Sequence, residues 1–115
     1  MTNLTQTRGD TAGYNFKRID NDGQPITTRP DALYFTVKAR WIDKKALLQK
    51  TIDDMTMDED GTWHFVIQAG ETDSMQYGSY VYDLEVIDND AVQTIGKGKF
   101  TLTEEATWKA HEVDQ

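Results

Sequence analysis

The chain contains no cysteine. That excludes a disulfide framework, a thiolate zinc site and a cysteine nucleophile, so a folded domain must be held by its core. Only 2 of the 115 residues are proline, which excludes a proline-rich linker. No apolar run approaches the roughly 18 residues of a membrane span. Basic side chains are scarce: 12 Lys and Arg stand against 20 Asp and Glu, a net charge of -8. Non-specific binding to nucleic acid, or to an anionic membrane, depends on neutralising phosphates with Lys and Arg. Neither is therefore an expected partner, and the acidic surface reads as a device for solubility. Residues 1–7 carry neither the basic nor the apolar segment of a signal peptide, so synthesis in the cytoplasm is the expectation.

What the chain does have is 37% hydrophobic and 10% aromatic residues. That is too apolar for wholesale disorder and suits one domain of this length. The dominant pattern is alternation with a period of two. Tyr14, Phe16 and Arg18 share one parity. Leu33, Phe35, Val37 and Ala39 share another, and Trp41 continues it as a further core candidate. Trp63, Phe65 and Ile67 alternate with His64 and Val66. Tyr80, Tyr82, Leu84 and Val86 follow, and a last strand spans residues 92–102. Gly96 and Gly98 inside it predict a bulge.

Turn signals separate these runs: Asp20-Asn21-Asp22-Gly23, Asp58-Glu59-Asp60-Gly61 and Asp88-Asn89-Asp90. Residues 43–50 are the most helix-like internal stretch, with Asp43 as a cap, and are expected as a loop or short helix leading into a strand near 51–57. Residues 70–77 form a loop with room for one helical turn. No stretch between strands is long enough for the helix of a parallel βαβ unit. The expected fold is all-β: an immunoglobulin-like antiparallel β-sandwich of about seven strands. Its core covers residues 8–102 of a single domain spanning 1–115. The charged tail, 103–115, is expected as a short helix or a frayed end.

The order of these signals resembles an immunoglobulin-like domain of phage and prophage structural proteins, typified by the N-terminal domain of baseplate upper proteins. Arg8-Gly9-Asp10-Thr11 precedes the first alternating strand, and Asp22-Gly23-Gln24-Pro25-Ile26 follows it. Asp60-Gly61-Thr62-Trp63-His64-Phe65 is similar to that family's hairpin opening. Gly78 to Val86 is similar to its G-x-Y-x-Y strand, and Gly98-Lys99-Phe100-Thr101-Leu102 to its closing strand. Residues 43–50 depart from the pattern in being longer and more polar, and no large receptor-binding region follows Leu102. The resemblance implies a virion part of the tail or baseplate, made in the bacterial cytoplasm. Its partners would be other phage structural proteins and further copies of itself, because virion parts are symmetric assemblies.

Candidate sites are few. The two histidines, His64 and His111, suggest no positioned acid–base pair, and no serine lies in a G-x-S-x-G elbow, so neither an enzyme nor a cofactor is expected. Asp20, Asp22, Asp58, Asp60, Asp88 and Asp90 could supply calcium ligands if their loops met at one end of the sandwich. Their spacing is not that of an EF-hand, and the same residues are ordinary turn formers. Arg8-Gly9-Asp10 matches the integrin tripeptide but equally suits the glycine turn that leads into a strand. The strand 62–69 is a candidate exposed edge for docking, with His64 and Val66 at the surface. Tyr77 and Trp108 fall outside the alternation and are candidate interface anchors. The other reading is a carbohydrate- or cell-surface-binding module, which requires a line of exposed aromatics.

Overall fold

The computed structural model describes residues 3–104. The tail, with Trp108 and His111, lies outside the described residues. Eight strands carry the fold: β1 (Leu4–Thr7), β2 (Ala12–Lys17), β3 (Ala32–Lys38), β4 (Leu48–Thr51), β5 (Thr56–Met57), β6 (Thr62–Ile67), β7 (Gly78–Asp88) and β8 (Ala91–Thr103). A 3-10 turn at Ile52–Asp54 and a single helical turn, α1 (Ala69–Thr72), complete it. The strands form two sheets, ordered β1-β8-β7-β3-β4 and β2-β6-β5.

This is an all-β, sandwich-like fold. β2, β5 and β6 make one layer; β3, β7 and β8 make the other, with β4 added beside β3. One pair departs from the expected antiparallel arrangement: β1 runs parallel to β8, with Leu4 opposite Phe100. The large sheet is therefore mixed, and the strand count is eight.

The alternation does what its period dictates. Leu33, Phe35 and Val37 point inward from β3, Trp63, Phe65 and Ile67 from β6, and Tyr82, Leu84 and Val86 from β7; all nine are buried. The centre is aromatic. Phe35 lies 4.7 Å from Phe65 and 5.5 Å from Tyr82 between ring centroids. Tyr14 stacks on Phe65 at 5.5 Å. Tilted and offset pairs of this kind add to the stabilisation from area alone. Truncating Tyr82, only 7% exposed, to alanine should destabilise the fold by about 3 kcal/mol. Urea unfolding measures this, and a loss below about 1 kcal/mol would contradict its core placement.

The turns follow their chemistry. Asn89 and Asp90 both adopt positive φ, 53° and 66°, so Asp88 and Ala91 are joined by a two-residue hairpin of the type that matches strand twist. Leu84 pairs with Gly96 but Glu85 with Thr94, so Ile95 is the extra residue of the expected bulge. Tyr80, expected in the core, is half-buried, and its hydroxyl donates to the Gln76 carbonyl at 2.6 Å. That is a tyrosine-corner bond, fixing the start of β7.

Three expectations need correction. Of the loop or short helix expected at 43–50 it is the loop that forms, but it ends early: a turn gives way at Leu48 to β4, which pairs with β3. Ala46, Leu47 and Leu48 are good helix formers, but so short a helix is marginal on its own, and the open edge of β3 outweighs that preference. Residues 51–57 are a 3-10 turn followed by a two-residue strand. Trp41 is not core but 53% exposed, because the strand ends at Lys38 and parity no longer decides which way a side chain points.

Candidate functional site

Where β1 ends, three polar contacts tie the first segment of chain to the far loop. The Arg8 guanidinium donates to the carbonyls of Asp73 (3.2 Å) and Met75 (3.4 Å) and lies 4.7 Å from the centre of the Tyr77 ring. The Gly9 N–H donates to buried Thr72 at 3.0 Å. Gln6 donates to the Asp10 carbonyl and accepts from the Tyr14 hydroxyl at 2.7 Å. The Arg8-Gly9-Asp10 tripeptide is thus folded into the body of the domain, with only Asp10 exposed. It serves as a strand-linking clamp, a role the sequence pattern does not announce.

Two of the six acidic turn residues cap their own turns, and two others contact basic side chains on β6 and after β2. Asp20 accepts the N–H groups of Asp22 and Gln24, both at 2.9 Å. Asp60 accepts the Thr62 N–H at 3.0 Å and pairs with Lys17 at 3.5 Å. The backbone hydrogen bond from Thr62 is the main reason its carboxyl lies below the usual aspartate range. Asp58 contacts the His64 imidazole at 2.7 Å, and Asp88 the Arg18 guanidinium at 3.4 Å. Asp22 and Asp90 are exposed on their turns. Among the described residues, no three His, Cys, Asp or Glu come together as a metal site.

Val66 is 40% exposed and Tyr77 41%; the His64 side chain is likewise at the surface. The strand bearing His64 and Val66 is not an edge, however. β6 is central between β2 and β5, although β5 covers only Trp63 and His64. The free edges of the small sheet belong to β2 and β5. The pairing pattern explains the misreading: β6 has the cleanest alternation because it is half enclosed by neighbours, and edge strands carry weaker patterns.

A concavity lined by core residues lies elsewhere. A cleft of about 400 Å³ opens between the two sheets on the flank bounded by β2 and by β1 with β8. Leu4, Tyr14, Phe16 and Ile95 form its mouth; Phe35, Phe65, Tyr82 and Leu84 form its floor. Tyr14 and Phe16 point towards the core yet are only half-buried, because no described strand closes this side. β1 covers only Phe100 to Thr103 of β8, and the Lys99 N–H donates to the Asn3 side chain, so among the described residues 91–98 of β8 have one edge that pairs with no strand. Among the described residues, the outer edge of β2 also has no partner strand.

Burial raises the pKa of both Tyr14 and Tyr82 above the ordinary tyrosine value of 10.0. A group raised in the folded state contributes stability that is complete below its unfolded pKa and is lost as pH rises through its folded one. The melting temperature should therefore fall on going above pH ~10. Tyr14→Phe and Tyr82→Phe should each blunt that fall, which melting curves and tyrosinate absorbance can follow together.

A second concave region lies on the outer face of the large sheet, under the β3–β4 loop. Trp41 overhangs Asp83, Thr94 and Lys97 there, with the Lys97 ammonium 5.8 Å from the indole centre. Tyr34, Thr36, Lys38 and Glu85 continue the trough. Such a surface offers one aromatic platform and several hydrogen-bonding groups.

Comparison with known protein families finds no matching model, and comparison with curated proteins finds no match. The class of protein rests on the fold: an all-β sandwich with one flank open among the described residues.

Proposed function

We propose that this chain is a non-catalytic structural part of a bacteriophage or prophage virion, placed in the tail or baseplate, and that it acts through protein–protein contacts. The open flank carries the contact mechanism. Two unpaired strand edges border an apolar cleft, and such edges are templates for a further strand. The phage attribution is supported by the ordered motifs between Arg8 and Leu102. On this reading the protein is made in the host cytoplasm, resides in the virion, and joins both other virion proteins and copies of itself. Light scattering over a concentration series tests self-association. A mass that rises above the 13.1 kDa of one chain is expected, and a mass fixed there at millimolar concentration would contradict it.

The exposed Trp41 favours one other reading, a carbohydrate-binding face on the outer side of the large sheet. Indole faces stack on sugar rings, and Asp83, Thr36 and Lys38 could bind hydroxyls. A glycan array with no hit, or hits unchanged by Trp41→Ala, removes it.

A further inference from the structure

We infer that the trough on the outer face of the large sheet binds an acidic glycan, a sugar chain whose rings carry carboxylate or phosphate groups. The inference rests on the carbohydrate reading of that face and names its ligand class. The first observation is where the cations go. Lys17, Arg18, Arg29, Arg40 and Lys50 each pair with a carboxylate, and Arg8 serves the clamp. Among the described residues, the basic side chains left without an ion pair are Lys38, Lys44, Lys45, Lys97 and Lys99. All five gather at one face. Lys38, Lys97 and Lys99 alternate with inward-facing residues of β3 and β8 and so point outward, and Lys44 and Lys45 stand on the loop between β3 and β4. In a chain of net charge -8, uncompensated cations on one face make a local field that favours an anion, and the net charge conceals it.

The second observation is the floor of the trough. One row of paired positions runs from Lys97 on β8 through Asp83 on β7 and Thr36 on β3 to Gln49 on β4. Thr94, Glu85 and Tyr34 form the next row. The half-buried carboxylates of Asp83 and Glu85 make no hydrogen bond or ion pair among the described residues. Carboxylates so placed accept hydrogen bonds from sugar hydroxyls, which a simple anion lacks. An acidic peptide answers the lysines but brings no ring hydroxyls to Asp83 and Glu85. Two lobes that share Asp83 enclose about 330 Å³ and 540 Å³, each within the roughly 300–1,000 Å³ of ligand sites.

The third observation is Trp41. It is 53% exposed and overhangs Asp83 and Lys97, with the Lys97 ammonium 5.8 Å from the centre of the indole. A flat aromatic platform is what a sugar ring needs, and a cation beside it is what an acid group on that ring needs. Platform, hydroxyl acceptors and free ammonium groups therefore meet in one concave surface.

The test titrates the full chain by calorimetry with an oligogalacturonate, a phosphomannan fragment and a neutral oligogalactoside, each at low and high salt. At least one of the acidic sugars should bind on the order of tenfold more tightly than the neutral one, and which of them does so identifies the acid group. The advantage should shrink at high salt. Replacing both Lys38→Gln and Lys44→Gln should bring the acidic sugar down to the neutral level, while Trp41→Ala should weaken every sugar. Circular dichroism melts confirm that the variants fold. Acidic and neutral sugars bound alike would overturn the inference and leave the carbohydrate reading standing. A polyglutamate peptide bound as tightly as the sugars, with Trp41→Ala without effect, would overturn it in favour of an acidic protein partner. No sugar bound at millimolar concentration would overturn the inference and the carbohydrate reading together.

Discussion

Phe35→Ala is expected to lower the unfolding free energy by about 3–5 kcal/mol, enough to leave a domain of this size mostly unfolded at room temperature. Phe35 is 1% exposed and meets rings from four other strands and both sheets. Its centroid lies 6.4 Å from Tyr14, 4.7 Å from Phe65, 5.5 Å from Tyr82 and 6.5 Å from Phe100. Removing it leaves a void that cannot collapse, because the surrounding rings are fixed by two hydrogen-bonded sheets. Phe35 also forms part of the cleft floor. Loss of the ring should therefore weaken any association through that cleft in the fraction that stays folded. Urea unfolding followed by tryptophan fluorescence gives the first quantity. A loss under about 1 kcal/mol would mean that the two sheets do not meet at this ring.

Gly61→Ala is the second large expected effect, about 2–3 kcal/mol. Gly61 sits at φ 89° at the end of the Asp58–Gly61 turn, where its N–H donates to the Asp58 carbonyl at 3.0 Å. A Cβ there would approach the Ile26 carbonyl oxygen to 2.8 Å. Backbone strain and a clash with another backbone segment act together. Gly23→Ala is the natural control. It has φ 80°, but its Cβ would meet nothing within 4 Å, so the conformational cost of about 1 kcal/mol is all that remains. Equal losses for the two variants would show that the close approach to Ile26 does not exist.

The two substitutions also show which parts of the fold the sequence could disclose. Alternation around Phe35, Trp63 and Leu84 reveals strands because each strand is flanked by others and one face is buried. The turns at Gly61 and Asn89-Asp90 are legible because positive φ demands particular residues. β1 is not legible. It has four residues, and its partner Phe100 lies 96 positions away, so nothing local marks it as a strand. β4 carries helix-favouring residues and becomes a strand only because β3 offers an edge. Trp41 continues an alternation whose strand has already stopped.

The candidate site was less legible than the fold. His64, Val66 and Tyr77 are exposed as anticipated, but β6 is interior to its sheet. The acidic turns admit both a calcium reading and a plain turn reading because turn formers and calcium ligands are the same residue types. What the sequence could not convey is the open flank. It arises because β1 joins the large sheet and leaves β2 without an outer neighbour, a choice made by long-range pairing. Trp63 shows a further cost of tight packing. Its indole N–H is buried without a hydrogen-bond acceptor among the described residues, a penalty that the burial of the ring outweighs.

Amide hydrogen exchange of β2, measured at low and at high protein concentration, tests the central claim most directly. In dilute solution the N–H groups of residues 12–17 that face away from β6 should exchange rapidly, while those facing β6 are protected. On concentrating the sample, the outward amides should slow as a neighbour's strand pairs with them. Outward amides that remain fast in a sample already shown to be oligomeric would contradict the account, because the copies would then be meeting somewhere other than the open flank.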